Sequence, residues 1–124
     1  MVAKKLLIIE DDEDNLFLMK FVLESETEWK IITVSNGIEG IAKAESERPD
    51  VILLDVIMPD LDGLTVYEVL KENLFTCAIP VIFVTARVEV KMFDCLKNTL
   101  ADGIITKPFN IDRFPSQIAS ICQW

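Results

Sequence analysis

Four places in the 124-residue chain carry side chains that could do chemistry together. They are the acidic run Glu10-Asp11-Asp12-Glu13-Asp14, the isolated acid Asp55, the hydroxyl of Thr85 and the ammonium of Lys107. Each follows a short apolar run: Leu6–Ile9, Val51–Leu54, Val81–Val84 and Ile104–Ile105. Carboxylates packed together repel and raise one another's pKa. A divalent cation that prefers oxygen relieves that repulsion, and magnesium fits best because it takes one or two carboxylates and keeps waters and phosphate oxygens. A metal-bound carboxylate facing a Lys and a Thr suits a phosphoryl group, whose charge the cation and Lys107 would neutralise while Thr85 donates a hydrogen bond. An Asp carboxylate can itself attack phosphorus and form an aspartyl phosphate. Asp55 is the best candidate for that attack.

Each feature also has a plain structural reading. Glu10–Asp14 could cap and charge-complement a helix start. Asp55 could cap a loop, Thr85 could simply end a strand, and Lys107-Pro108 could be a surface turn. Together they are harder to set aside, because four strand ends carry complementary groups.

The elements that must position them follow from the apolar pattern. The four continuous runs suit strands buried on both faces, and the mixed stretch Trp29–Val34 suits an edge strand. Between them lie amphipathic stretches. Leu16, Met19, Phe21, Val22 and Leu23 give a broad apolar face, and Ile38, Ile41 and Ala42 a narrower one. Val66, Val69, Leu70 and Leu74, then Phe93, Leu96 and Leu100, then Ile111, Phe114, Ile118, Ile121 and Cys122 fit helical spacing. Pro49 and Pro80 precede strands, and Gly37 and Gly63 punctuate loops. Pro115 places the start of the last regular helix near Phe114. Five strands alternating with five helices predict an α/β, doubly wound, five-stranded parallel sheet of order 2-1-3-4-5, a flavodoxin-like three-layer sandwich. In such a sheet, ligands bind beyond the carboxyl ends of the strands, where these residues gather.

Composition narrows the classes. The length fits one domain over residues 1–124, large enough to bury a core without disulfides or structural metal. A hydrophobic share of 51% excludes a disordered chain. A net charge of −9 argues against direct nucleic-acid or anionic-membrane binding. No apolar run approaches the roughly 20 residues of a membrane span, and Met1–Lys5 does not open a signal peptide. Cys77, Cys95 and Cys122 lack metal spacing and read as core filler in a reducing cytoplasm. With no histidine, Ser/His and Cys/His catalysis are excluded.

Ile9-Glu10-Asp11-Asp12, the segment Leu54-Asp55 through Asp62-Gly63, Val84-Thr85-Ala86 and Thr106-Lys107-Pro108-Phe109 resemble the receiver domain of two-component response regulators. The match covers almost the whole chain, and the D-x-x-M-P-x-x-D-G spacing from Asp55 to Gly63 is its most specific part. The resemblance implies that Asp55 is the phosphoacceptor. It implies that Asp11 binds Mg2+ directly, Glu10 mainly through water, and the Ile57 backbone carbonyl as a further ligand. It places Thr85 and Ala86 at the phosphoryl group and Lys107 in contact with it, with a cis Lys107–Pro108 bond. Met58-Pro59 and Asp62-Gly63 would shape the loop after Asp55. A histidine kinase or phosphotransfer protein would donate the phosphoryl group, and a downstream protein would read the result. With no sequence left for an output domain, signalling by altered protein binding is expected, without enzymatic turnover.

Three departures from the family pattern bear on the switch. Ile104 stands where Tyr or Phe is common, which removes a rotating aromatic. Leu100 replaces a common Gly at the end of the fourth helix. Ile57 and Arg87 hold the two places that flank the attacking water, and an apolar Ile57 cannot orient it, so slow loss of the phosphoryl group is expected. Other classes fit less well. A phosphohydrolase with an aspartyl nucleophile would want its nucleophile in a D-x-D after the first strand. A scaffold receiver that is not phosphorylated would lack site residues, and a flavin site would want a Ser/Thr-rich loop where this chain is acidic.

Overall fold

Short runs of branched apolar residues become strands because each can be covered on both faces. The computed structural model describes residues 4–56, 58, 61–85, 103–107 and 110–124. Strands β1 (Lys5–Ile9), β2 (Lys30–Val34), β3 (Val51–Leu54), β4 (Val81–Thr85) and β5 (Gly103–Thr106) alternate with helices α1 (Glu13–Glu26), α2 (Gly37–Glu47) and α3 (Gly63–Glu72); α4 (Phe114–Cys122) follows β5. All strand pairs are parallel, in the order β2-β1-β3-β4-β5. The expected helix around Phe93, Leu96 and Leu100 lies outside the described residues. So do Ile57, Pro59, Ala86, Arg87, Cys95, Pro108 and Phe109.

Period-two alternation divides the core between the two faces of the sheet. Leu7, Ile9, Ile52, Leu54, Val81 and Phe83 pack with α2 and α3, through Ala44, Val66 and Leu70. Leu6, Ile8, Val51, Leu53, Ile82 and Val84 pack with α1 and α4, through Met19, Leu23, Phe114 and Ile118. Registers Ile9↔Leu54 and Ile9↔Val34 bring the carboxyl ends of the three neighbouring strands level.

The helix starts obey local chemistry. Asp12 Oδ1 accepts from the amides of Asp14 and Asn15, Asn36 Oδ1 from Glu39, and Asp62 Oδ1 from Thr65. Each satisfies donors that have no partner inside the helix. Regular α4 begins at Phe114, as Pro115 requires, since a missing amide costs nothing in the first turn.

The apolar spacing misplaces several side chains. The buried side of α2 is Gly37, Gly40 and Ala44, while Ile38 and Ala42 are exposed. Small residues let the helix lie close on the sheet: a Cβ on Gly40 would stand 2.4 Å from Ile9 Cδ1. Phe21, Val69 and Ile111 are exposed, and Leu74 lies beyond the end of α3 in solvent. Gly37 and Gly63 open helices α2 and α3 rather than sit in loops. Cys77 is exposed and Cys122 half-buried, so the core-filler reading fails for Cys77.

Candidate functional site

Backbone hydrogen bonds carry the strand ladder one residue past the strand ends and so place the candidate groups. The Glu10 amide donates to the Val34 carbonyl at 3.2 Å, and the Asp55 amide to the Ile9 carbonyl at 3.1 Å. The Lys107 amide donates to the Thr85 carbonyl at 2.8 Å, just beyond the Thr85↔Thr106 pair. Glu10, Asp55, Thr85 and Lys107 therefore stand on one edge of the sheet, fixed by main-chain geometry. Glu10, Asp55 and Thr85 are buried, and Asp11 is half-buried beside them.

The side chains converge. Carboxylate oxygens of Glu10, Asp11 and Asp55 lie within 4.8 Å of one another. The Lys107 ammonium donates to Glu10 Oε1 and stands 3.7 Å from Asp55 Oδ2. Glu10 Oε2 is buried without a hydrogen-bond partner among the described residues. Burial first, and then the adjacent Asp55 carboxyl, push Glu10 up to about 8, against the pull of Lys107.

This arrangement fits a hard divalent cation. With all three acids ionised, three negative charges face one ammonium and leave −2. The three oxygens lie within 4.8 Å of one another, close enough to converge on one small oxygen-preferring ion with bonds of about 2.1 Å. The Oε2 atom supplies a lone pair that no donor among the described residues uses. Glu10, Asp11 and Asp55 are thus the side chains that could hold the ion.

The acidic run divides its labour. Asp12 turns away to cap α1, and Glu13 and Asp14 form the first turn of that helix, where their charge is favourable. The capping reading is correct for these three and not for Glu10 and Asp11. The proposed ligand carbonyl of Ile57, the phosphoryl contact Ala86 and the Lys107–Pro108 bond fall outside the described residues. Ile104 is half-buried, paired in register with Phe83, and packs against the cluster that contains Tyr67. Residue spacing alone does not show how closely Gly63 approaches the Asp55 peptide; the Asp62-Gly63 pair after Asp55 is the signal for it.

A family model described as the response regulator receiver domain matches residues 6–119. The chain belongs to that family. Among curated relatives, this receiver domain is 35% identical over 120 residues to the alkaline phosphatase synthesis transcriptional regulatory protein PhoP of Bacillus subtilis, covering 95% of this chain and 48% of PhoP. It is 33% identical to the polar-differentiation response regulator DivK of Brucella anthropi, covering 96% of both chains. The chain thus spans about half the length of PhoP and nearly all of DivK. Among solved structures, the signal receiver domain of a signal transduction histidine kinase from Syntrophus aciditrophicus superposes with a TM-score of 0.87 at 30% identity, over 98% of this receiver domain and 91% of that chain. No helix among the described residues is long and apolar enough to cross a membrane.

Proposed function

We propose that this receiver domain is a phosphorylation-dependent signalling switch in which Asp55 accepts a phosphoryl group from a histidine kinase or phosphotransfer protein. The observation that carries the reading is the placement of a buried Asp55 carboxylate at the end of central strand β3, with Lys107 at 3.7 Å and two further carboxylates within 4.8 Å. An Asp55 oxygen attacks the phosphorus of a phosphohistidine; the new O–P bond forms as the P–N bond breaks, and the donor imidazole leaves with the electron pair. Glu10, Asp11 and Asp55 would hold Mg2+, which would neutralise charge on the phosphoryl oxygens. Lys107 turns its ammonium from Glu10 to the new phosphoryl charge, and the Thr85 hydroxyl donates to it.

The acyl phosphate carries nearly two negative charges where the ionised Asp55 carried one, at the ends of β3, β4 and β5. Any movement of Thr85 and Lys107 is transmitted through the Lys107 amide to Thr85 carbonyl bond that joins them. This biases the face built on β5 and α4, and a downstream protein reads that face by altered binding. The test uses acetyl phosphate and Mg2+, followed by intact mass. The chain is expected to gain one phosphoryl group, lost in Asp55→Asn or with EDTA, and to release it slowly once donor is removed. No gain in mass overturns the reading, and so does steady turnover of a small phosphate ester.

A further inference from the structure

Gly63 opens α3 with its backbone seated on the peptide of the phosphoacceptor. Its amide donates to the Val56 carbonyl at 2.8 Å. A Cβ on Gly63 would stand 2.2 Å from the Asp55 carbonyl oxygen, 2.7 Å from Val56 Cα and 2.9 Å from the Asp55 carbonyl carbon. All three are backbone atoms, so no rotamer change relieves the overlap. Gly37, Gly40 and Gly103 differ: a Cβ there would meet side chains of Val66, Ile9 and Ile121, which have torsions to adjust. The start of α3 is also fixed from its own side, because Asp62 Oδ1 holds both the amide and the hydroxyl of Thr65.

On the opposite side, the Asp55 amide is tied to the Ile9 carbonyl at 3.1 Å. The residue is gripped between β1 and the bare first residue of α3. We propose that Gly63 is a positioning residue for Asp55, its missing side chain letting α3 seat on the Asp55–Val56 peptide and so setting the direction of the carboxylate. This rests on the reading of Asp55 as phosphoacceptor beside Mg2+. An alanine at 63 must open the contact by about 1 Å to reach ordinary van der Waals separation. Because the Asp55 amide is anchored, the shift falls on its carbonyl side and on the chain that follows. Displacement of a reacting group by that much can cost about 100-fold.

Gly63→Ala is compared with Gly103→Ala, which crowds Ile121 of α4 at the far end of β5 from Lys107. Both are expected to lower the melting temperature. Gly63→Ala alone is expected to weaken Mg2+ binding by calorimetry, and to slow phosphoryl gain from acetyl phosphate, by about tenfold or more. Equal Mg2+ affinities and equal phosphorylation rates in the two variants would overturn the inference while the functional reading stands. A wild-type chain that takes neither Mg2+ nor a phosphoryl group would overturn both. Should Gly63→Ala fail to fold, the wild-type Gly63 amide decides: it is expected to exchange more slowly with solvent when Mg2+ saturates the site, and an unchanged rate overturns the inference.

Discussion

Glu10 carries an electrostatic cost: it is 1% exposed, lies beside another carboxyl and has one oxygen without a partner among the described residues. Raised from 4.5 to about 8, it holds a proton in the folded chain that it would release in the unfolded one. Between those values the folded state binds more protons, so stability falls as pH rises through the interval. The absence of histidine makes the effect readable, because few other groups titrate between about pH 5.5 and 7.5. In EDTA, the melting temperature of the wild-type chain is expected to drop across that range, and Glu10→Gln to flatten the drop. A level wild-type profile would contradict the assignment. The identity of Glu10 as a site residue was legible from its place after an apolar run. Its pairing with Lys107 was not, because it joins residues 97 apart and depends on the strand order.

At the scale of the elements, neighbouring acids do opposite work. Asp12 caps α1, whereas Asp11 faces the other two carboxylates. Asp12→Ala is expected to cost about 1 kcal/mol of stability while Mg2+ still binds. Asp11→Ala is expected to abolish Mg2+ binding and leave stability in EDTA unchanged or raised, since it removes repulsion. Chemical denaturation and calorimetry on the pair check this, and loss of Mg2+ binding in both would mean the run acts as one charge cluster. Sequence spacing could not separate the two, because an acid at a helix start and an acid at a metal look alike until the chain direction is known. The strands were legible for a simple reason: burial on both faces makes Leu6–Ile9, Val51–Leu54 and Val81–Val84 uninterrupted. Helix faces were less so. α2 buries Gly37, Gly40 and Ala44, which carry almost no apolar signal, and leaves the conspicuous Ile38 in solvent.

For the whole molecule, the site is coupled to global stability through its position in the sheet. Glu10 and Asp55 directly follow β1 and β3, central strands whose alternate residues build both cores. A ligand bound to both strand ends cannot be lost by fraying one edge. Mg2+ that binds only the folded chain adds about 2.7 kcal/mol at 100 times its dissociation constant, a rise of about 10 °C for a domain of this length. The increment should appear equally in the slowest-exchanging amides of both faces, such as Leu6, Leu7, Ile52 and Leu53, because these exchange through global opening. It should vanish in Asp55→Asn and persist in Asp12→Ala. Protection confined to amides around Asp11 and Asp62, with the strand amides unmoved, would show instead that the ion orders its own loop and does not draw on the sheet; the electrostatic cost at Glu10 would then be met locally, and the coupling between site and core argued from these strands would fall.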